Sequence, residues 1–87
     1  MEKGQYVYIL ECSDSTYYTG YTTDVVRRLE TQNLGKGAKY TRCRRPCRLV
    51  YYRACESKSE ALKLEYKIKQ MSRKEKVELI EGILKEM

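Results

Sequence analysis

Residues 6–29 read YVYILECSDSTYYTGYTTDVVRRL, and the patterns inside that stretch decide the fold. Tyr6-Val7-Tyr8-Ile9-Leu10 is aromatic and β-branched, with apolar side chains on both alternating faces. That is the pattern of a central strand covered on both sides. Cys12-Ser13-Asp14-Ser15 is rich in turn formers, and Thr16-Tyr17-Tyr18-Thr19-Gly20-Tyr21 reads as a second strand, so the two make a hairpin. Thr22, Thr23 and Asp24 are natural N-cap residues. They predict a helix from about Asp24 to Asn33 that buries Val25, Val26 and Leu29, with Gly35 as its C-terminal stop.

Working outward, Gly35-Lys36-Gly37 opens a basic loop, and Pro46 blocks a continuous helix there. Arg48 to Cys55 reads as a third strand. Ser57 with Glu60, and Ser72 with Glu75, have capping-box spacing and start two more helices. The last helix is expected to bury Val77, Ile80, Ile83 and Leu84. The order is ββαβαα, an α+β fold in which three helices flank a three-stranded antiparallel sheet. A length of 87 residues is expected to form one domain over residues 1–87. A domain of that size buries only roughly 60–65% of its unfolded surface, so its core is thin.

Composition narrows the function classes. No apolar run approaches the roughly 18 residues of a membrane helix. Met1-Glu2-Lys3-Gly4-Gln5 leads straight into a strand with no apolar leader, so the expected compartment is the cytoplasm. Cys12, Cys43, Cys47 and Cys55 are expected to be free thiols; Cys43 and Cys47 make at most half of a zinc site, and there is no histidine to complete one. The absence of histidine also removes the commonest catalytic acid–base group. Charge is uneven. Residues 31–55 hold seven bases (Lys36, Lys39, Arg42, Arg44, Arg45, Arg48 and Arg53) and no acid, and so account for the chain's net charge of +6. Such a block reads either as a solubilising loop or as a site for a polyanion, nucleic acid first. Tyr40, Tyr51 and Tyr52 within it are available for base stacking.

Single residues carry the chemistry. Ala61, Leu64, Ile68 and Met71 define the apolar stripe of the second helix, and Glu65 falls on that stripe. A carboxylate there is costly unless paired, metal-bound or at the stripe's edge. Arg28 shares a polar helix face with Asp24 and Gln32, and taken alone it reads as an ordinary surface arginine paired with Asp24. Tyr8 and Tyr18 are strand residues that simple core packing would also explain. A two-residue turn at Asp14-Ser15 puts them on opposite faces of the sheet; a three-residue loop or a bulge puts them on the same face. The sequence admits both.

The ordered set resembles the GIY-YIG nuclease superfamily over roughly residues 5–81. The set runs Tyr-x-Tyr, then Tyr-x-Gly, then an arginine in a capped helix, then a glutamate in the helix after the third strand. The segment from Tyr18 to Leu29 carries the resemblance most strongly. Gly35-Lys36-Gly37-Ala38-Lys39-Tyr40-Thr41-Arg42 and Glu65-Tyr66-Lys67-Ile68-Lys69 look like its small stand-alone bacterial branch. The resemblance implies a catalytic set of Tyr8, Tyr18, Gly20, Arg28 and Glu65. In it Tyr8 activates water, Gly20 leaves room, Arg28 contacts the scissile phosphate, and Glu65 holds one Mg2+ or Mn2+ ion. Lys36, Lys39, Tyr40, Arg42, Arg44 and Arg45 form the expected nucleic-acid-binding set. Tyr6 and Thr19 depart from the motif's glycine and aliphatic positions. Gln32 stands where many members have histidine or tyrosine, and no asparagine follows Asn33. The implied activity is a metal-dependent DNA endonuclease, in repair or processing. The alternative is a domain that binds DNA or structured RNA with weak or lost catalysis.

Overall fold

In a computed structural model the described residues are 2–36, 41 and 43–82. Among them three strands and three helices follow in the order ββαβαα, as the sequence predicts. Strand β1 (Gln5–Glu11) lies between β2 (Tyr17–Thr22) and β3 (Arg48–Cys55), and both pairings are antiparallel. That central place explains why the run Tyr6 to Leu10 is apolar on both alternating faces and buried.

The hairpin loop settles the register. Cys12 N–H donates to Thr16 C=O at 2.8 Å and Ser15 N–H to Cys12 C=O at 2.9 Å, so three residues, Ser13 to Ser15, make the connection. Ser15 takes the left-handed conformation (φ 67°) that a three-residue loop of this kind requires. The Asp14 carboxylate accepts from Thr16 N–H at 3.2 Å and from its hydroxyl at 2.6 Å, holding the loop closed. Tyr8 therefore lies opposite Gly20 and Leu10 opposite Tyr18, and all four share one face of the sheet.

Helix α1 (Val25–Asn33) covers that face. The Asp24 carboxylate caps it by accepting from Arg27 N–H at 3.1 Å. At its other end Gly35 N–H donates to Gln32 C=O and Lys36 N–H to Thr31 C=O, each at 3.1 Å, with Gly35 at φ +80°. This is a Schellman stop, which needs a residue tolerant of positive φ. Val25 is buried and Leu29 packs on Tyr8, Leu10, Cys12 and Cys47. Val26, expected inside, is instead 47% exposed. It lies about 100° around the helix from Val25, and α1 touches the sheet along a narrow stripe.

Helices α2 (Lys58–Lys69) and α3 (Arg73–Ile80) cover the opposite face, on the side of Val7 and Ile9. Ser57 caps α2 through Glu60 N–H, and Ser72 with Glu75 forms a complete capping box on α3. Ala61, Ile68 and Leu79 are the buried contributions. Leu79 is the buried residue of α3, while Ile80, expected inside, is partly buried and packs on the same cluster, and Val77 is half-buried. Ile83 and Leu84 lie outside the described residues. A bulge in β3 leaves Val50 unpaired between Tyr51 (opposite Ile9) and Leu49 (opposite Leu10). Val50 and Tyr51 both pack on the α2 and α3 side as a result.

The cysteines are free thiols. Cys12 and Cys47 are buried with their sulfurs 3.6 Å apart, Cys55 is half-buried and Cys43 is exposed. Burial, then the hydrogen bond with Cys12, pushes the Cys47 thiol up to about 11.

Candidate active site

Tyr8 organises the site. Its ring leaves central β1 and crosses over Gly20 on edge strand β2. A methyl group on Gly20 would sit 2.5 Å from the Tyr8 phenol oxygen, which no real contact allows. Gly20 is therefore bare so that the phenol can reach the β2 edge of the sheet. Tyr18, two residues before Gly20 on the same face, places its ring 6.3 Å from that of Tyr8 at a 48° tilt.

Three further side chains converge on the phenol. Gln32, in the last turn of α1, is fully buried and its amide N–H donates to the Tyr8 oxygen at 3.4 Å. Its carbonyl oxygen accepts from the Thr41 hydroxyl, also fully buried. With that bond made, the amide N–H is the end of Gln32 that faces Tyr8. Arg28 on α1 and Glu65 on α2 lie within electrostatic reach of the same oxygen. Arg28 is exposed, and among the described residues no carboxylate pairs with it; Asp24 is engaged as a cap instead. The Glu65 side chain is 18% exposed and pairs with Lys69 at 3.0 Å. It lies at the edge of the α2 stripe between buried Ala61 and Ile68, where a carboxylate keeps access to water.

Tyr8 is pushed up to about 12, first because burial penalises the phenolate. The Gln32 hydrogen bond and the Arg28 charge lower it; the neighbouring Tyr18 and Glu65 raise it. At pH 7 the phenol is therefore protonated. Tyr8 is thus a neutral hydrogen-bonding group with one lone pair taken by Gln32. Among the described residues its own proton has no acceptor.

Glu65 is the carboxylate that the Tyr8 cluster offers. One accessible carboxylate suits a magnesium or manganese ion that keeps most of its waters and takes its other ligands from phosphate. Among the described residues no larger group of carboxylate or cysteine side chains gathers as a metal cage.

The structure thus brings Tyr8, Tyr18, Gly20, Arg28 and Glu65 to one edge of the sheet. Of the expected nucleic-acid-binding set, Lys36 is exposed beside α1, Arg44 is held by Asp14 at 3.1 Å, and Arg45 donates to Asn33 C=O at 3.4 Å. Lys39, Tyr40 and Arg42 lie outside the described residues. Gln32 is the residue whose position the sequence reading misjudged, by putting it on a polar face. The signal was present: Val25, Leu29 and Gln32 fall at i, i+4 and i+7, the spacing of a buried stripe.

A sheet of order β2-β1-β3 with paired tyrosines and a bare glycine at one edge, met there by an arginine from α1 and a glutamate from α2, makes a small α+β domain. A family model described as the GIY-YIG catalytic domain matches residues 4–78, and the chain belongs to that family. Its relatives include a UPF0213 protein of Staphylococcus haemolyticus, 57% identical over 76 residues and covering 87% of this chain and 93% of the relative. A UPF0213 protein of Halobacterium salinarum is 59% identical over 71 residues, covering 82% and 92%. Among solved structures, the UPF0213 protein BH0048 from Bacillus halodurans aligns with a TM-score of 0.60 at 55% identity, covering 90% of this chain and 83% of that one. The protein EF2693 from E. faecalis aligns with a TM-score of 0.65 at 41% identity, covering 94% and 90%. Family membership implies nuclease-type function and a nucleic-acid substrate. No helix among the described residues is long and apolar enough to cross a membrane.

Proposed function

We propose that this chain hydrolyses phosphodiester bonds in DNA, acting as a divalent-metal-dependent endonuclease in repair or processing. The observation that carries this reading is the convergence of Arg28, Glu65 and Tyr18 on a Tyr8 phenol seated over Gly20. Hydrolysis adds water across the P–O bond and builds negative charge on the nonbridging and leaving oxygens. Arg28, exposed and without a carboxylate partner among the described residues, binds a nonbridging oxygen and opposes that charge. Glu65 would hold the cation, which supplies Lewis-acid stabilisation of the developing charge when bound. Tyr8, fixed by Gln32, orients the attacking water through its free lone pair. It can take the proton only when added positive charge brings its pKa down from about 12. Tyr18 narrows the water-accessible space beside it. The products would be a 3′-hydroxyl and a 5′-phosphate.

Incubation with supercoiled and branched DNA plus Mg2+ or Mn2+ tests this. Glu65→Gln and Arg28→Ala should each reduce cleavage by about 100-fold or more. Cleavage that survives both changes belongs to a contaminant and sinks the site assignment. Gln32 favours a second reading, a nucleic-acid-binding domain with weak or lost catalysis, because an amide cannot exchange a proton with Tyr8. Binding without cleavage on any substrate would select that reading.

A further inference from the structure

Beside the tyrosine cluster, the chain entering β1 and the outer face of α1 enclose a cleft of about 550 Å3. Lys3, Arg27, Arg28 and Lys36 line it, with Asp24 as its carboxylate and the Thr23 hydroxyl nearby. One Asp24 oxygen is occupied by the N–H of Arg27. Among the described residues none of the four cations has a carboxylate within ion-pair distance. Three bases outside the cleft do have a carboxylate partner: Arg44 with Asp14 at 3.1 Å, Arg48 with Glu11 at 2.6 Å, and Lys69 with Glu65 at 3.0 Å. Four cations against one carboxylate leave the concavity with a net positive charge and concentrate a positive potential there. An anion offsets that charge.

We propose that this cleft is a binding site for phosphodiester backbone, holding the stretch of strand next to the phosphate that Arg28 contacts. Arg28 lines the cleft and also lies within electrostatic reach of Tyr8, so cleft and catalytic cluster are continuous. No aromatic side chain among the described residues lines it, so there is nothing on which a base can stack. The contacts are to phosphate and sugar; they set the strand's position and do not read its sequence. The assignment to a strand rests on the nucleic-acid reading above, whereas the preference for phosphate groups rests on the cleft's own charges.

The test is equilibrium binding of a labelled single-stranded oligonucleotide across a salt series, in EDTA so that cleavage plays no part. Arg27→Gln and Lys36→Gln should each weaken binding about three- to fivefold at low salt. Each should also flatten the slope of log K against log salt by about 0.7. Asp24→Asn keeps a good N-cap and removes the cleft's negative charge, so it should tighten binding. Lys74→Gln, an exposed α3 site with the same charge change, should leave affinity and slope as in the parent. Parental binding by Arg27→Gln and Lys36→Gln, or an equal effect from Lys74→Gln, overturns the proposal. Displacement of the oligonucleotide by micromolar deoxynucleoside monophosphate would assign the cleft to a free nucleotide and overturn the strand reading. If these shifts occur without cleavage in the metal assay, the nuclease reading fails and this one stands. Parental slopes with intact cleavage overturn this one alone.

Discussion

At the scale of single residues, the site is held by groups that a core would ordinarily reject. Gln32 is fully buried, yet its amide is satisfied at both ends, by Thr41 and by Tyr8. Removing the amide should leave Tyr8 harder to ionise, since the Gln32 hydrogen bond is what most lowers its pKa. An alkaline ultraviolet titration should show a phenolate transition at about 12 that Tyr8→Phe abolishes and Gln32→Leu moves upward. A downward move would disprove the hydrogen bond's role. Thr19 is the contrary case. It faces α2, and its hydroxyl is the buried side-chain polar atom, among the described residues, without a hydrogen-bond partner. Thr19→Val keeps the shape and removes the orphan hydroxyl. It should raise stability by about 1 kcal/mol in urea unfolding, and a loss of stability would mean that the hydroxyl is satisfied in solution.

At the scale of elements, the connection between α1 and β3 is held by hydrogen bonds to residues distant in sequence. Asn33, at the end of α1, grips Cys47 through both its backbone N–H and its C=O. The Asn33 amide donates to Cys47 C=O at 2.9 Å and its carbonyl oxygen accepts from Cys47 N–H at 2.7 Å. Ser13 N–H donates to Arg44 C=O at 2.9 Å, which ties the same segment to the hairpin loop. Asn33→Ala breaks both bonds and should cost about 1–3 kcal/mol. It should also speed alkylation of the otherwise protected Cys47, read by mass spectrometry; unchanged protection would show that the clamp is redundant. These details explain what the sequence could and could not reveal. Asp24, Ser57 and Ser72 announced their helices because capping acts within one turn of chain. The bulge at Val50 and the Asn33 clamp join residues far apart in sequence, and no local pattern encodes them. Glu65 was legible because a charge on an apolar stripe breaks a local rule. Gln32 broke the same rule more quietly, being polar but uncharged.

At the scale of the whole molecule, one sheet separates two jobs. The Val7 and Ile9 face, under α2 and α3, supplies most of the apolar packing. The Tyr8 and Leu10 face, under α1, carries Tyr8, Tyr18 and Gly20 of the proposed site. This division gives the fold an alkaline limit. Tyr8 in the folded state is pushed up from 10.0 to about 12, so the folded protein holds its proton more tightly than the unfolded chain does. The resulting stability is fully present below pH 10 and is lost as pH rises from there through about 12. Unfolding midpoints in denaturant should fall across that window in the parent and fall less in Tyr8→Phe; equal slopes would mean that other groups set the limit. The bareness of Gly20 also bears on how faithfully the hairpin assembles. Tyr17 and Tyr18 are adjacent and chemically alike, so a hairpin slipped by one residue would present one tyrosine in place of the other with little change in apolar character. Slipped one way, Tyr21 stands opposite Tyr8; slipped the other way, Thr19 does. In either pairing the phenol meets a side chain where it requires open backbone. The glycine therefore works as a proofreading mark: only the correctly counted hairpin can close over it.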